Sequence, residues 1–237
     1  MAKPLLEVSG LTVRYGEATA LSDVSFDVGV GEVVGLIGPN GAGKSTVVNC
    51  LSGVLKPETG SVLLDGKEIR GHRPYSIVRA GLSRTFQHPR GFATMTVREN
   101  LSVAVPRSRL STSQLEDAAV GTGLGDQLDL AVGALSLSQL RRLEVARVLA
   151  TGARIILLDE VMAGLAEAEI EELMVVIQGL VADGLGVLLV EHLVWVVTKL
   201  SNRIVVLDHG SVLAAGTPSA VLSDPIVVEA YLGQAIA

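Results

Sequence analysis

Apolar and polar residues alternate from Leu5 to Val13 and again from Ala20 to Val28, with a turn around Gly16, which predicts two strands of a small antiparallel unit. The next apolar run, Val33 to Ile37, is continuous rather than alternating, as expected of a strand buried on both faces. A glycine-rich turn then leads into a helix from Lys44 to about Gly53, with Pro57 and Gly60 at its exit. Val62 to Leu64 and Lys67 to Ile69 flank Asp65-Gly66, a dipeptide suited to a type I′ hairpin turn, and Leu82 to Gln87 reads as another short strand. From about Pro89 to Gly133 the pattern changes to short helical pieces, Val97 to Val105 and Thr112 to Ala119, set in polar and glycine-rich sequence. Leu140, Leu143, Ala146 and Ala150 then form a stripe at helical spacing. The strands Arg154 to Leu158, Gly186 to Val190 and Arg203 to Leu207 alternate with helices, one of which carries Ile170, Leu173, Met174 and Ile177. Such βαβ repeats predict an α/β fold with a mostly parallel sheet covered on both sides and ligands at the carboxyl ends of its strands.

Composition narrows the class. At 237 residues the chain is long enough for one sizeable core, and its single cysteine, Cys50, rules out a disulfide scaffold and fits a reducing compartment. Net charge is −6 and no basic block with interleaved aromatics occurs, which argues against nucleic acid as a partner. The start Met1-Ala2-Lys3-Pro4 runs directly into strand-like sequence and predicts no export signal. The longest apolar tract, Leu185 to Leu200, is interrupted by Glu191 and His192 and is too short for a membrane span. A hydrophobic fraction of 49% and a mean hydropathy of +0.48 leave room for contact surface toward partners, although a core rich in small residues raises the same numbers.

Two segments carry chemistry. Gly38-Pro39-Asn40-Gly41-Ala42-Gly43-Lys44-Ser45-Thr46 follows the Val33 to Ile37 strand and opens a helix. Backbone N–H groups around Gly41 and Gly43 would cradle nucleotide phosphates, Lys44 would reach the β- and γ-phosphates, and the Ser45 hydroxyl would complete a Mg2+ site. Downstream, Ile155 to Leu158 ends abruptly in Asp159 and Glu160 at the ligand-binding edge of the sheet. Two carboxylates there either cap a strand end or serve the phosphate loop, Asp159 holding Mg2+ and Glu160 orienting or deprotonating an attacking water.

In its motifs the chain resembles the nucleotide-binding subunits of ATP-binding cassette transporters, most closely those of branched-chain amino acid uptake systems. The resemblance rests on Gly38 to Thr46, Leu157-Leu158-Asp159-Glu160, the signature segment Leu135-Ser136-Leu137-Ser138-Gln139 with Arg141-Arg142-Leu143-Glu144, Arg84 to His88 as the glutamine-containing loop, Ala163-Gly164-Leu165, and Glu191-His192 as the switch histidine. The tail, Arg203 to Gly210 with Gly216-Thr217-Pro218 and Glu229 to Gly233, is similar to the amino-acid-uptake subgroup in particular.

This resemblance implies a P-loop core (1–86 and 134–237) with an N-terminal antiparallel β subdomain and a small inserted helical subdomain (87–133). It implies ATP and Mg2+ as cofactors and catalytic roles for Lys44, Gln87, Glu160 and His192. Ser45, Gln87 and Asp159 would surround the metal, and Gly38, Asn40, Gly41, Ala42, Gly43, Lys44, Ser45 and Thr46 the phosphates. Tyr15 either stacks on adenine or is an ordinary surface residue, and His192 either donates to the γ-phosphate or is a satisfied core histidine. Ser136, Ser138 and Gln139, ahead of a helix expected to start near Gln139, would meet ATP held by a second nucleotide-binding subunit, identical or paralogous.

Further implied partners are membrane-spanning permease subunits, reached through Gln87 and the residues after it, and indirectly an extracytoplasmic substrate-binding protein. The implied place of work is the cytoplasmic face of the membrane. The chain departs from the family pattern at Leu137 and Ser138, at Val161 where proline is usual, and at Ala166 where an acidic or amide residue is usual. A Cβ at Ser138 would crowd the γ-phosphate unless its hydroxyl replaces the lost room with a hydrogen bond. Two other functions fit less of the pattern: a regulatory ATP-binding clamp with slow turnover, and a cassette protein of repair or translation.

Overall fold

The computed structural model describes residues 4–85, 91–105 and 111–232. The N-terminal alternation becomes β1 (Leu6–Tyr15) and β2 (Ala18–Val28), which with β4 (Thr59–Leu64) and β5 (Lys67–Glu68) make an antiparallel sheet in the order β2-β1-β4-β5. Asp65 and Gly66, between β4 and β5, have φ of 50° and 72°, the doubly positive backbone that a type I′ turn requires.

The continuous apolar runs build the second sheet. β3 (Val33–Ile37), β6 (Leu82–Arg84), β7 (Ile155–Asp159), β8 (Gly186–Val190), β9 (Arg203–Asp208) and β10 (Ser211–Gly216) follow the order β10-β9-β3-β8-β7-β6. All neighbours are parallel except β9 and β10. Successive side chains leave a strand on opposite faces. Val34, Leu36, Ile155, Leu157, Leu188 and Val190 accordingly share one apolar cluster with the antiparallel sheet and α1 (Lys44–Leu51). Val33, Ile156, Leu158, Val187 and Leu189 belong to another, with α5 (Leu137–Ala150), α6 (Glu167–Ala182) and α7 (Val194–Leu200).

A third cluster joins α3 (Val97–Val103) and α4 (Thr112–Gly121) to Leu124, Leu128, Val132 and Leu135, and closes on Leu143, Ala146 and Ala150 of α5. The stripe legible in the sequence is thus only one of two buried faces of α5, since Val145 and Val148 enter the cluster under the large sheet. Among the described residues no helix is long and apolar enough to cross a membrane.

Three details differ from the sequence pattern. The pattern passed over α2 (Pro74–Ala80), although Pro74 at its first turn and Gly81 with φ 110° after its last are the usual bounds of a helix. The strand expected from Leu82 to Gln87 ends at Arg84, and Phe86 to Arg90, Gln87 among them, lie outside the described residues. Finally, α5 begins at Leu137 and not near Gln139, because the Ser136 side chain caps it: Gln139 N donates to Ser136 Oγ at 3.2 Å and Ser136 N to Gln139 Oε1 at 2.9 Å. Ser138 therefore sits inside the first helical turn, not ahead of it.

Candidate functional site

The phosphate loop connects the carboxyl end of β3 to α1, and two of its glycines are required by contact. Gly38 has φ 148°, and a Cβ there would stand 2.1 Å from the Leu207 carbonyl oxygen. Gly43 has φ 107°, with Leu21 Cδ2 only 2.6 Å from where a Cβ would be. The loop backbone consequently packs against β9 and β2 more tightly than any side chain would allow.

Lys44 is 7% exposed, and its Nζ donates to the carbonyl oxygens of Gly38 at 2.6 Å and Pro39 at 2.9 Å. Burial lowers its pKa, while the carboxylates of Glu160 and Asp159 act in the opposite direction. The ammonium is thus held over the loop by neutral carbonyls, which a phosphate oxygen can replace.

At the end of β7, Asp159 is 2% exposed and its Oδ2 lies 3.5 Å from Arg84 Nη2. Arg84 also donates to Asn49 Oδ1 at 2.8 Å and Ser52 Oγ at 3.1 Å, tying β6 to α1. Burial raises the Asp159 pKa, Arg84 opposes the rise, and Glu160 adds to it. Among the described residues Asp159 Oδ1 has no hydrogen-bond partner. A buried carboxylate oxygen without a donor suits a cation or its bound water. Mg2+ is commonly held by one or two protein oxygens with substrate phosphates supplying the rest, so Asp159 and Ser45 could supply the protein ligands. Among the described residues no group of three His, Cys, Asp or Glu side chains is placed to hold a metal by itself.

Glu160 leaves β7 with φ 52°, in the left-handed region that non-glycine residues rarely adopt. Its side chain meets His192, two residues past the end of β8: His192 Nε2 lies 2.7 Å from Glu160 Oε1. The backbone holds the same register, Glu160 N donating to Val190 O at 2.9 Å. Asn40, Gly41, Gly43, Lys44, Ser45 and Thr46 line a cavity of about 200 Å³ together with Ala20, Glu160 and His192. Phosphate loop, acidic residue and histidine thus share one cleft at the carboxyl edge of the sheet.

The other sequence-derived candidates lie elsewhere. Tyr15 ends β1, opposite Ala18, with its side chain 55% exposed and outside the cleft lining. Ser136, Ser138 and Gln139 are not in the cleft; Ser136 and Gln139 cap α5 with each other, and the Ser138 side chain is buried at 7% exposure, whereas Leu137 is 40% exposed. Leu137 is thus the more accessible of the two at the start of α5. Val161, where proline was the usual residue, is fully buried in the cluster under the large sheet. Ala166 gives α6 no side-chain cap, and its N–H donates to Glu169 Oε2 at 2.9 Å.

Sequence reasoning missed Glu191. It entered the sequence pattern as an interruption of an apolar tract and as the neighbour of His192, without a role of its own, yet it is 3% exposed and accepts from Met162 N at 3.0 Å. Its signal was the one that revealed Asp159, an acidic residue directly ending an apolar strand. Arg141 was likewise quoted without a role, and its Nη2 donates to Ala163 O at 2.9 Å.

Comparison with known proteins places this cleft in a familiar setting. Residues 21–163 match the family model described as ABC transporter, and residues 211–237 match the one described as branched-chain amino acid ATP-binding cassette transporter. The high-affinity branched-chain amino acid transport ATP-binding protein BraF of Pseudomonas aeruginosa is 41% identical, covering 99% of this chain and 100% of its own length. LivG of Escherichia coli, a protein of the same description, is 40% identical with the same coverage. Among solved structures, the ADP conformation of an ATP-binding cassette of an ABC transporter superposes with a TM-score of 0.90 at 31% identity, covering 98% of this chain and all of that one. Family match, relatives and fold agree over essentially the whole chain, cleft and tail alike: it belongs to the ABC transporter family, in the branched-chain amino acid subgroup.

Proposed function

We propose that the chain is the ATP-binding and ATP-hydrolysing subunit of an importer for branched-chain or related amino acids, working at the cytoplasmic face of the membrane. The observation that carries the reading is the shared cleft, in which the Glu160–His192 pair stands across from Lys44 and Ser45. On ATP binding, loop N–H groups from Asn40 to Thr46 donate to phosphate oxygens, and Lys44 Nζ exchanges the Gly38 and Pro39 carbonyls for β- and γ-phosphate oxygens. Ser45 Oγ and Asp159 would hold Mg2+, which would supply charge to offset that of the phosphates. Glu160 accepts a proton from the attacking water, and His192, hydrogen-bonded to Glu160, holds that carboxylate in place and can turn to the γ-phosphate. Gln87 would contribute to the shell of that ion and of the attacking water.

Partners follow from surfaces outside the cleft. A groove of about 240 Å³ lies between the core and the α3–α5 unit, lined by Val54, Pro74, Ile77, Val78, Ala104 and Val148 among others. A largely apolar groove of this kind suits a helix of a permease subunit, through which an extracytoplasmic binding protein is felt indirectly. The signature segment at the N-terminus of α5 faces a second nucleotide-binding subunit, so ATP is sandwiched between two chains.

The test is to reconstitute the chain with its permease subunits in vesicles and measure ATP-dependent uptake of leucine, isoleucine and valine alongside phosphate release. Uptake that needs both Mg-ATP and an intact Lys44 is the expected result. Hydrolysis without uptake of any of the three would remove the importer assignment while leaving the ATPase assignment standing.

A further inference from the structure

The turn behind the catalytic pair is tied down from two directions. Glu160 is followed by a tight turn, with Ala163 N donating to Glu160 O at 3.3 Å and Leu165 N to Met162 O at 3.2 Å. The Met162 N–H has no partner within that turn; the Glu191 carboxylate supplies one at 3.0 Å, in a place where an unmet donor would be costly. Glu191 is joined directly to His192 by the peptide bond between them. One buried residue therefore joins the residue that bonds Glu160 to the loop that follows Glu160. On the far side, Arg141 of α5 holds the Ala163 carbonyl at 2.9 Å.

We infer that Glu191 is a positioning residue, whose buried carboxyl fixes the Met162 to Leu165 turn against the His192 backbone and so keeps Glu160 and His192 at hydrogen-bonding distance. The inference rests on the reading of Glu160 as the proton acceptor. Covalent connection alone does not set that distance: β7 and β8 pair in register from Ile155–Gly186 to Asp159–Val190, and Glu160 and His192 lie just past that pairing, where Glu160 N donates to Val190 O. With the second tether at Glu191, a shift of the loop is passed to the histidine. With the third at Arg141, the helix that opens at Ser136 is joined to the same unit.

The single tryptophan, Trp195, offers a readout apart from activity, because it lines one cavity with Glu191, Met162, Ala163, Leu165 and His192. The experiment compares Glu191→Leu, Glu191→Gln and Glu160→Gln in the full chain for kcat, for ATP affinity by calorimetric titration, and for Trp195 emission and its quenching by acrylamide. Leucine fills the space without accepting a hydrogen bond, while the glutamine oxygen still accepts from Met162 N. Glu191→Leu is expected to lose roughly 10- to 100-fold in kcat, the scale of a misplaced catalytic group, with ATP affinity kept and Trp195 more readily quenched. Glu191→Gln should restore both readings toward the parent. Glu160 lines the same cavity, but Glu160→Gln keeps the side chain's shape and the Glu191 tether, so it should lose turnover with Trp195 quenching unchanged.

Parental kcat and quenching in Glu191→Leu would overturn the proposal, as would a Glu191→Gln protein as impaired as Glu191→Leu. Parental turnover in Glu160→Gln would overturn the catalytic reading instead, and Trp195 quenching would still decide whether Glu191 holds the loop. Should Glu191→Leu not fold, Glu191→Asp, whose shorter side chain falls short of Met162 N, is judged by the same two readings.

Discussion

Glu160 and His192 stand 2.7 Å apart, side chain to side chain, just past the ends of two adjacent parallel strands, and Glu160 adopts a left-handed backbone there. Strain kept at one residue while the rest of the strand is regular marks a side chain whose direction matters. Glu160→Gln keeps the shape and loses the basicity. It is expected to bind ATP as the parent does, to lose roughly 10²- to 10⁴-fold in turnover, and to accumulate an ATP-bound dimer. Steady-state phosphate release and size-exclusion chromatography with Mg-ATP measure these; a parental rate would place the proton acceptor elsewhere.

Lys44 makes a separate prediction about binding. Its Nζ is already desolvated against the Gly38 and Pro39 carbonyls, so little further desolvation opposes its move onto phosphate. A hydrogen bond to a charged group is worth about 1.5–3 kcal/mol, so Lys44→Ala should weaken ATP binding by roughly 10- to 150-fold. Calorimetric titration giving an unchanged dissociation constant would end the phosphate-loop assignment.

The cleft was legible because its residues are neighbours in sequence or terminate apolar strands: Gly38 to Thr46 form one run, and Asp159-Glu160 and Glu191-His192 each end a five-residue buried strand. The contacts that organise it were not legible. Arg84 meeting Asp159, Glu191 meeting Met162 and Arg141 meeting Ala163 are long-range in the chain, and no periodicity announces them. The two-sided burial of α5 was hidden for the same reason, because a helix wedged between two cores shows no single stripe. The start of α5 lies two residues earlier than its apolar spacing suggests, because the spacing of Ser136 and Gln139 is that of a capping box.

Asn100 leads to a prediction about coupling. It is fully buried, and its amide accepts from Phe92 N at 2.8 Å and donates to Phe92 O at 3.1 Å and Thr96 O at 2.9 Å, fastening the segment that follows Gln87. Asn100→Ala and Gln87→Ala should each lower uptake in reconstituted vesicles more than they lower basal phosphate release. Equal losses in the two assays would give these residues a purely catalytic or structural part.

Glu191 also sets a pH dependence. Burial pushes its pKa from 4.5 up to about 7, against the opposing effect of the Met162 and His192 N–H groups. Between those values the folded chain keeps a proton that the unfolded chain has released, so stability falls as pH rises through this window, and the loss is complete above pH 7. The shift corresponds to roughly 3 kcal/mol, or roughly 6–12 °C in Tm for a chain of this size. Glu191→Gln cannot titrate, so its Tm should drop less than the parent's between pH 5 and pH 8. Asp159, raised in the same direction, is present in both proteins and cancels in the comparison. Matching Tm changes in the two proteins would show that Glu191 is ionised throughout.

The last prediction separates two neighbouring departures from the family pattern at the start of α5. Ser138 lies in the first helical turn with its side chain 7% exposed, so its Cβ is accommodated within its own chain. Leu137, 40% exposed, presents an apolar side chain where a second subunit's ATP would approach the helix N-terminus. Ser138→Gly trades a helical residue for a flexible one and should cost about 0.5–1 kcal/mol of stability. That lowers the Tm of the lone chain by roughly 1–4 °C and changes hydrolysis in the complex little. Leu137→Gly should instead raise phosphate release by the assembled complex at saturating Mg-ATP and leave the lone subunit's rate alone, because the leucine faces solvent there. If Ser138→Gly accelerates the complex and Leu137→Gly does not, the buried serine is the residue that shapes the cross-subunit site. If both act equally on the lone subunit, the α5 N-terminus does not meet the partner's nucleotide at all.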